Sequence, residues 1–570
     1  MQYQNWDFPC FDMIYFEYLL MTKKHKIQAQ PASEPAVAAS GKEQGKSSLL
    51  QRLPWAYLLT FAGFYVFSTC VYGDMLRRTA EANFITNDST QMAFLTSQSW
   101  GTVYCWGRWM LCSMSNLYVG AALLSLILTL TAVLADKALC IPRRWRGVSA
   151  LVPAGVVLWM ICRGLNLYYK SEPSLLFIIP VAVLLAAALL ALAGRFSWGR
   201  KKCKATADAV KAKRAWGWTV PMVLTAVLSA TALQWNKAEI LTARMQMRMM
   251  DGDFEGMVDD AHDLERPTRS VAAYYAIGLV QTGQLLERQF DIPYDFPEMR
   301  LERHDGNEEY TIFTGDCSFY AGLINTAYRC AMDYTVLYGP SLYNLKRMAV
   351  CAILNNETAL AEKYMTILKK VPFQEAFIEK YEPMIGNSER VDADEELHKV
   401  LALQPQEHFF EQNYRSPTFL GYNAGLLRGT DASLETAIAA RLYSKELEAA
   451  MPLIRVYAQK HGGQLPQSLQ QAITIMSTKD PSIDVEFGNI VSMQAPTFTA
   501  FITEAKPILD ERKRVSEGKS EAEKLKIRDE YNHKLRTALA ADWVGTYLYY
   551  YYCENNDQAQ VKQNTQTAVN

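Results

Sequence analysis

The sequence predicts an all-α protein, a five-helix transmembrane bundle followed by a soluble α-helical repeat domain. Three observations carry that prediction. The first 235 residues hold five long apolar stretches. Charge divides at the same place: 23 Lys+Arg against 11 Asp+Glu up to residue 235, and 35 against 48 beyond it, beneath a net charge of −1. From Asn236 onward, apolar residues recur at i, i+3, i+4 and i+7 with few β-branched alternations, the spacing of one helix face. An acidic half of this size repels phosphate and argues against a general nucleic-acid binder. A chain that is 50% hydrophobic and 21% charged is too apolar to be disordered throughout.

Residues 1–53 read as a flexible cytoplasmic leader. The first 20 are acidic and aromatic and lack the basic start and apolar run of a signal peptide. Met21, followed by Thr-Lys-Lys-His-Lys, reads as the true start. Residues 28–50 are mostly Ala, Ser, Gln, Gly and Lys, a linker composition.

The transmembrane domain, 54–235, is expected to span at 54–73, 117–135, 148–169, 174–194 and 217–235, with an outer loop at 74–116. Each stretch has about the 20 apolar residues that cross a 30 Å hydrocarbon core at 1.5 Å per residue. The alternative, a buried helix in a soluble core, seldom runs this long without polar interruption, and Leu175 to Ala193 contains no charge at all. Loops 23–52, 136–146 and 195–216 carry six, four and eight Lys/Arg, whereas 74–116 and 170–173 carry three and one. The positive-inside rule then puts the N-terminus in the cytoplasm and the C-terminal domain in the periplasm of a bacterial inner membrane.

The C-terminal domain, 236–556, reads as stacked helix pairs. Leu345, Met348, Ala349, Ala352 and Ile353 form one apolar stripe, Asn355-Asn356 break the helix, and Leu360, Tyr364, Ile367 and Leu368 form the next, closed by Lys369-Lys370 and Pro372. The turn residues Gly252, Gly283 and Asn356 are separated by 31 and 73, close to one and two units of a period of about 34 residues. The units resemble degenerate tetratricopeptide-type repeats, lacking the full signature. Further helices are expected at 431–445, 446–462, 465–477 and 519–540. The last starts with a capping box, Ser520 to Glu523, and carries a Glu530–Lys534 pair. The tyrosine-rich run Trp543 to Tyr552 is read as a packed terminal helix, and 557–570 as a disordered tail.

Several features together resemble one known family. A basic leader and a first span ending in Tyr72-Gly73-Asp74 precede the outer segment Trp100-Gly101-Thr102 through Trp109. An outward helical half then contains Gln464-Leu465-Pro466-Gln467-Ser468-Leu469-Gln470-Gln471-Ala472 and a late Thr546-Tyr547 aromatic run. In this order they resemble a family of uncharacterised bacterial multi-pass inner-membrane proteins with a periplasmic tetratricopeptide-like domain. The resemblance carries over no catalytic residue.

Motifs of chemistry are scarce. Gly41 to Ser47 imitates a phosphate loop but has three residues between its glycines where four are needed. The seven histidines never form HxxxH or HExxH; Glu407-His408 with Glu411 lacks a second imidazole, and Asp305 to Glu309 lacks the alternating ligands of a calcium loop. No metal and no cofactor is expected. The eleven cysteines include no CxxC pair; Cys105 and Cys112 fall too far apart on a helix to bridge, and Cys317 with Cys330 is the expected disulfide.

Two functions follow. The first is an integral inner-membrane protein presenting a periplasmic helical-repeat scaffold to periplasmic or inner-membrane proteins, for cell-envelope assembly or maintenance. The alternative is a membrane-embedded transferase acting on polyprenyl-phosphate-linked glycan or lipid. Its candidate catalytic carboxylates are Asp74 and Glu81 in the outer loop, with Arg77, Arg78 and Arg163 as lipid-phosphate-binding residues. The rings of Trp100, Tyr104, Trp106 and Trp109 suit the headgroup region, so membrane lipids are expected partners. A transporter is third: no expected span carries Asp or Glu.

Overall fold

The computed structural model describes residues 55–139, 148–163, 172–197, 216–294, 315–404 and 430–554. The leader, the motif-like segments 41–47, 305–309 and 407–411, and the tail lie outside the described residues. Among the described residues the regular structure is helical, with no strand.

Helix α1, Trp55–Val66, runs on as a π-turn through Phe67–Val71 and gives way at Tyr72 to α2, Gly73–Glu81. Two short helices complete the outer segment. In α3, Ser89–Ser97, the Asp88 carboxylate accepts from the Thr90 amide, capping the helix; α4 is Gly101–Cys112. There follow α5 (Leu117–Ala138), α6 (Leu151–Arg163), α7 (Leu175–Ser197) and α8 (Trp216–Trp235).

Two helices are long and apolar enough to cross a membrane, Leu117–Ala138 and Leu175–Ala193. Tyr57–Val71, Val148–Cys162 and Val223–Trp235 are apolar but shorter. Only 22% of the apolar stretch of α7 is buried, and Leu185, Leu189, Leu190 and Leu192 point outward. A helix apolar all round, with its leucines uncovered, is poorly suited to water.

The C-terminal body starts one residue after α8. Helix α9, Lys237–Asp251, ends at Gly252 in the left-handed conformation; α10 is Phe254–Asp260. Helix α11, Arg269–Thr282, ends likewise at Gly283, and α12 is Leu285–Arg288. After a helical turn at 315–320 come α13 (Ile324–Tyr338), α14 (Leu342–Leu354) and α15 (Thr358–Leu368), each packed on the next. The expected break falls between the last two, where Asn356 takes φ 57°. Then follow α16 (Glu375–Tyr381), α17 (Ser388–Ala393), α18 (Glu395–Leu403), α19 (Asp431–Tyr443), α20 (Leu447–Lys460) and α21 (Gln467–Ser477).

The last three helices are α22 (Ser482–Ser516), α23 (Glu521–Trp543) and α24 (Tyr547–Cys553). The Ser520–Glu523 capping box is formed, and Lys534 lies 3.0 Å from Glu530. Tyr547, Tyr549 and Tyr550 are buried, and the Tyr550 ring lies 4.7 Å from Phe290 and 5.7 Å from Tyr443, so the tyrosine run is a packed helix. One continuous apolar core runs from Leu241 to Cys553; a second unites α2, α5, α6 and α7 and takes in Ala243 of α9.

The expected Cys317–Cys330 disulfide is not formed: both carry free thiols. Cys317 is wholly buried in the apolar core, and burial raises the Cys330 thiol to about 11, so both behave as small apolar groups.

Candidate functional site

The outer segment docks on the helical body, and the cleft between them is the candidate site. Helix α2 lies along α9, the first helix after the apolar helices α5 to α8. Charged side chains then join the two. Arg77 donates to both Asp251 oxygens, at 2.8 and 2.7 Å. Asp74 lies 3.8 Å from Arg244, Lys346 donates to Glu81 at 2.7 Å, and Lys370 to Asp88 at 3.0 Å. The Lys370 ammonium holds the Asp88 carboxyl below its usual range. One backbone hydrogen bond reinforces the seam, and a second bond braces the segment behind it. The Leu342 amide donates to the Asn83 carbonyl at 2.9 Å, and Asn83 donates to the Arg108 carbonyl at 3.0 Å. Arg108 in turn pairs with Glu172, at 2.6 and 2.8 Å, tying α4 to the start of α7.

Sequence reasoning grouped Asp74, Arg77, Arg78 and Glu81 on one segment, and all four fall on α2. Arg78 is half-buried, facing Tyr274, Tyr343, Asp316 and Tyr334 of the body, and desolvation pulls its guanidinium down to about 10. Arg163 closes α6, away from this group in sequence, and its side chain lies outside the description.

Beneath the seam is a polar network that no sequence motif announces. Asp316, with 1% of its side chain exposed, accepts from Tyr274 and Arg347, both at 2.9 Å, and from Tyr343. The Arg347 guanidinium lies 4.1 Å from the Phe319 ring centre. A buried carboxylate is tolerated where cations and hydroxyls supply its hydrogen bonds, as here. Toward the surface Tyr320 donates to Glu396 at 2.6 Å, and Lys380 sits 3.6 Å from Glu396 and 3.5 Å from Asp394. Although burial opposes it, Tyr381 and Glu396 hold the Lys380 ammonium above its usual value.

These groups surround a half-open cleft of about 400 Å³. One wall is Arg77, Ala80, Glu81, Met114 and Ser115 of the outer segment; the other is Met247, Asp251, Tyr343, Lys346 and Arg347 of α9 and α14. Phe373, Phe377 and Tyr381 close the rim. Phe373 occupies the left-handed region at φ 63°, a conformation that costs a non-glycine residue about 1–2 kcal/mol. Among the described residues Asp74 does not line the cleft, and no group of three His, Cys, Asp or Glu is placed to hold a metal ion.

A family model matches residues 165–554, two thirds of the chain and all of the described helical body. The chain belongs to DUF6057, a family of unknown function. The match to DUF6057 includes Asp251, Asp316, Lys346, Arg347 and the aromatic rim, while Arg77 and Glu81 precede it, so one wall of the cleft lies inside the family region and the other outside. No curated protein and no solved structure matches the chain.

Proposed function

We propose that this member of DUF6057 is a five-span bacterial inner-membrane protein that presents a periplasmic helical-repeat scaffold to other envelope proteins. The observation that carries the reading is the seam. The helix that follows the first expected span is bound to the helix that follows the fifth, through Arg77–Asp251 and Asp74–Arg244, with Glu81–Lys346 and Asp88–Lys370 further along. A helical body hinged on one linker would tumble; one held at both ends of its membrane domain keeps a fixed face toward a partner. The five apolar helices overlap the five expected spans, and the loops flanking them follow the positive-inside pattern. Stacked helix pairs present long surfaces suited to extended partner segments. The transferase alternative has less behind it, since Asp74 and Glu81 both have cations beside them and Asp74 lies off the cleft.

The test has two arms. Alkaline phosphatase fused after Asn570 is active and a fluorescent protein there is dark; the reverse pattern overturns the orientation. A photocrosslinker at Val485, which is exposed on α22, captures a discrete envelope protein in living cells. A chain that crosslinks only to itself or to lipid overturns the scaffold.

A further inference from the structure

Helix α13 changes character along its exposed face. Arg329 and Asp333 point outward as an i,i+4 ion pair. One turn later the same face carries Val336 and Leu337, 75% and 72% exposed, with Tyr338 uncovered beside them. The last turn holds no basic residue, although cations ordinarily settle at a helix C-terminus. From Tyr334 to Leu342 the chain has no charged group at all. Single exposed apolar residues are ordinary on a protein surface, but three in a row at a helix end mark a contact.

The position of this tip selects the partner. The turn after it delivers Leu342, whose amide donates to the Asn83 carbonyl at 2.9 Å, so the α13–α14 hairpin is aimed at the outer segment. Asn83 donates to the Arg108 carbonyl, and Arg108 pairs with Glu172, shortly before α7 begins. Helix α4 itself lies flush on α7: a Cβ at Gly107 would fall 2.8 Å from Ile178, in the first turn of that helix. The tip is thus linked, bond by bond, to the start of an apolar helix left mostly uncovered. Around that point the outer segment exposes Phe94, Trp100 and Trp106, with Trp100 held in the left-handed region at φ 62°. Aromatic rings flanking an apolar helix are what the boundary between lipid and water selects. Tyr334 and Tyr338, their rings 4.7 Å apart, add the same apolar body with a polar end. Three side chains supply far less than the roughly 800 Å² per partner that a stable protein interface buries. A bilayer needs no such area, because the apolar helices already hold the chain in it.

We propose that Val336, Leu337 and Tyr338 form a foot by which the helical body rests on the lipid surface beside the outer segment. This inference rests on the membrane reading above and makes the bilayer itself a partner of the helical body.

The experiment puts a genetically encoded, environment-sensitive fluorescent amino acid in place of Leu337, Asp333 or Leu185 in the full chain, one chain per nanodisc. All three positions are exposed, so the probe leaves the core intact. The discs are phosphatidylcholine, either plain, brominated near the carbonyl end of the acyl chains, or brominated at mid-chain. Emission from position 337 is expected to shift to the blue and to be quenched by the lipid brominated near the carbonyl. Position 333, one turn back on the same face, is expected to stay unquenched. Position 185 on α7 reports the membrane reading: quenching there without quenching at 337 overturns the foot alone, and quenching at neither overturns both. Equal quenching at 333 and 337 also overturns the foot, since a helix immersed along both turns is not resting on its tip.

Discussion

Arg77 and Asp251 meet in a two-point ion pair although 174 residues separate them in the chain. Arg77 lies on the helix just after the first apolar segment, and Asp251 ends the helix just after the last. The pair therefore closes the apolar N-terminal helices into a loop, with the helical body as the clasp.

The ion pairs of this clasp are unequal. Arg77 and Asp251 remain 32% and 50% exposed, so Arg77→Ala should cost about 1 kcal/mol or less, and exchanging the two residues should recover most of it. Lys346 and Glu81 are 14% and 17% exposed, so Lys346→Ala leaves a nearly buried carboxylate alone and should cost about 3 kcal/mol. Denaturation midpoints of the detergent-solubilised chain measure both. Equal losses would mean that burial does not govern the seam.

Gly322 and Gly252 separate two reasons for glycine. Both have positive φ, 77° and 76°. A Cβ at Gly252 meets nothing within 4 Å, so Gly252→Ala should cost only the conformational penalty, about 1 kcal/mol. A Cβ at Gly322 would lie 2.4 Å from the Leu403 carbonyl carbon and 2.5 Å from the Gln404 nitrogen. Backbone cannot move aside cheaply, so Gly322→Ala should lose at least about 3 kcal/mol or fail to fold. Thermal midpoints of the two variants decide.

Glu435 on α19 should make stability depend on pH. Burial, with Asp431 and Glu287 nearby, raises its carboxyl to about 7 from an ordinary 4.5. The folded state thus holds the proton more tightly than the unfolded chain. Its contribution is complete below pH 4.5, declines as pH rises toward 7, and changes no further above that. Glu435→Gln should raise the melting temperature at pH 8 and leave it unchanged at pH 4. A gain of equal size at both values would assign the effect to packing instead of charge.

Much of the helical body was legible because local signals are strong there. Asn356 and the lysines after Leu368 end helices where propensity says they should, and Ser520 starts one for the same reason. Helix α22 gives no comparable notice. It extends for 35 residues with Pro496 and Pro507 inside and a non-helical Phe487 near its start, held by tertiary packing against α21 and α23. The Cys317–Cys330 pairing misled because sequence spacing says nothing of which core each thiol enters. For the candidate site, sequence marked the α2 charges, since they cluster within eight positions from Asp74 to Glu81. It could not mark their partners. Arg244, Asp251, Lys346 and Lys370 are scattered over α9, α14 and the turn after α15, and only the fold gathers them. Asp316 and Arg347 were invisible for the same reason, each lying in an otherwise ordinary helical stretch.

The clasp also bears on how the molecule can be dissected. A recombinant fragment beginning after Trp235 leaves behind Asp74, Arg77, Glu81 and Asp88, so Asp251, Lys346 and Lys370 lose their counter-ions in one cut, while Arg244 keeps Asp260 and Asp263. It also empties the place of Arg78 among Tyr274, Tyr343 and Tyr334. Such a truncation is a different object from the body in the intact chain, with an unsealed groove where the missing helix belongs. Grafting residues 73–112 back through a short linker is the route to a helical body that keeps its native face.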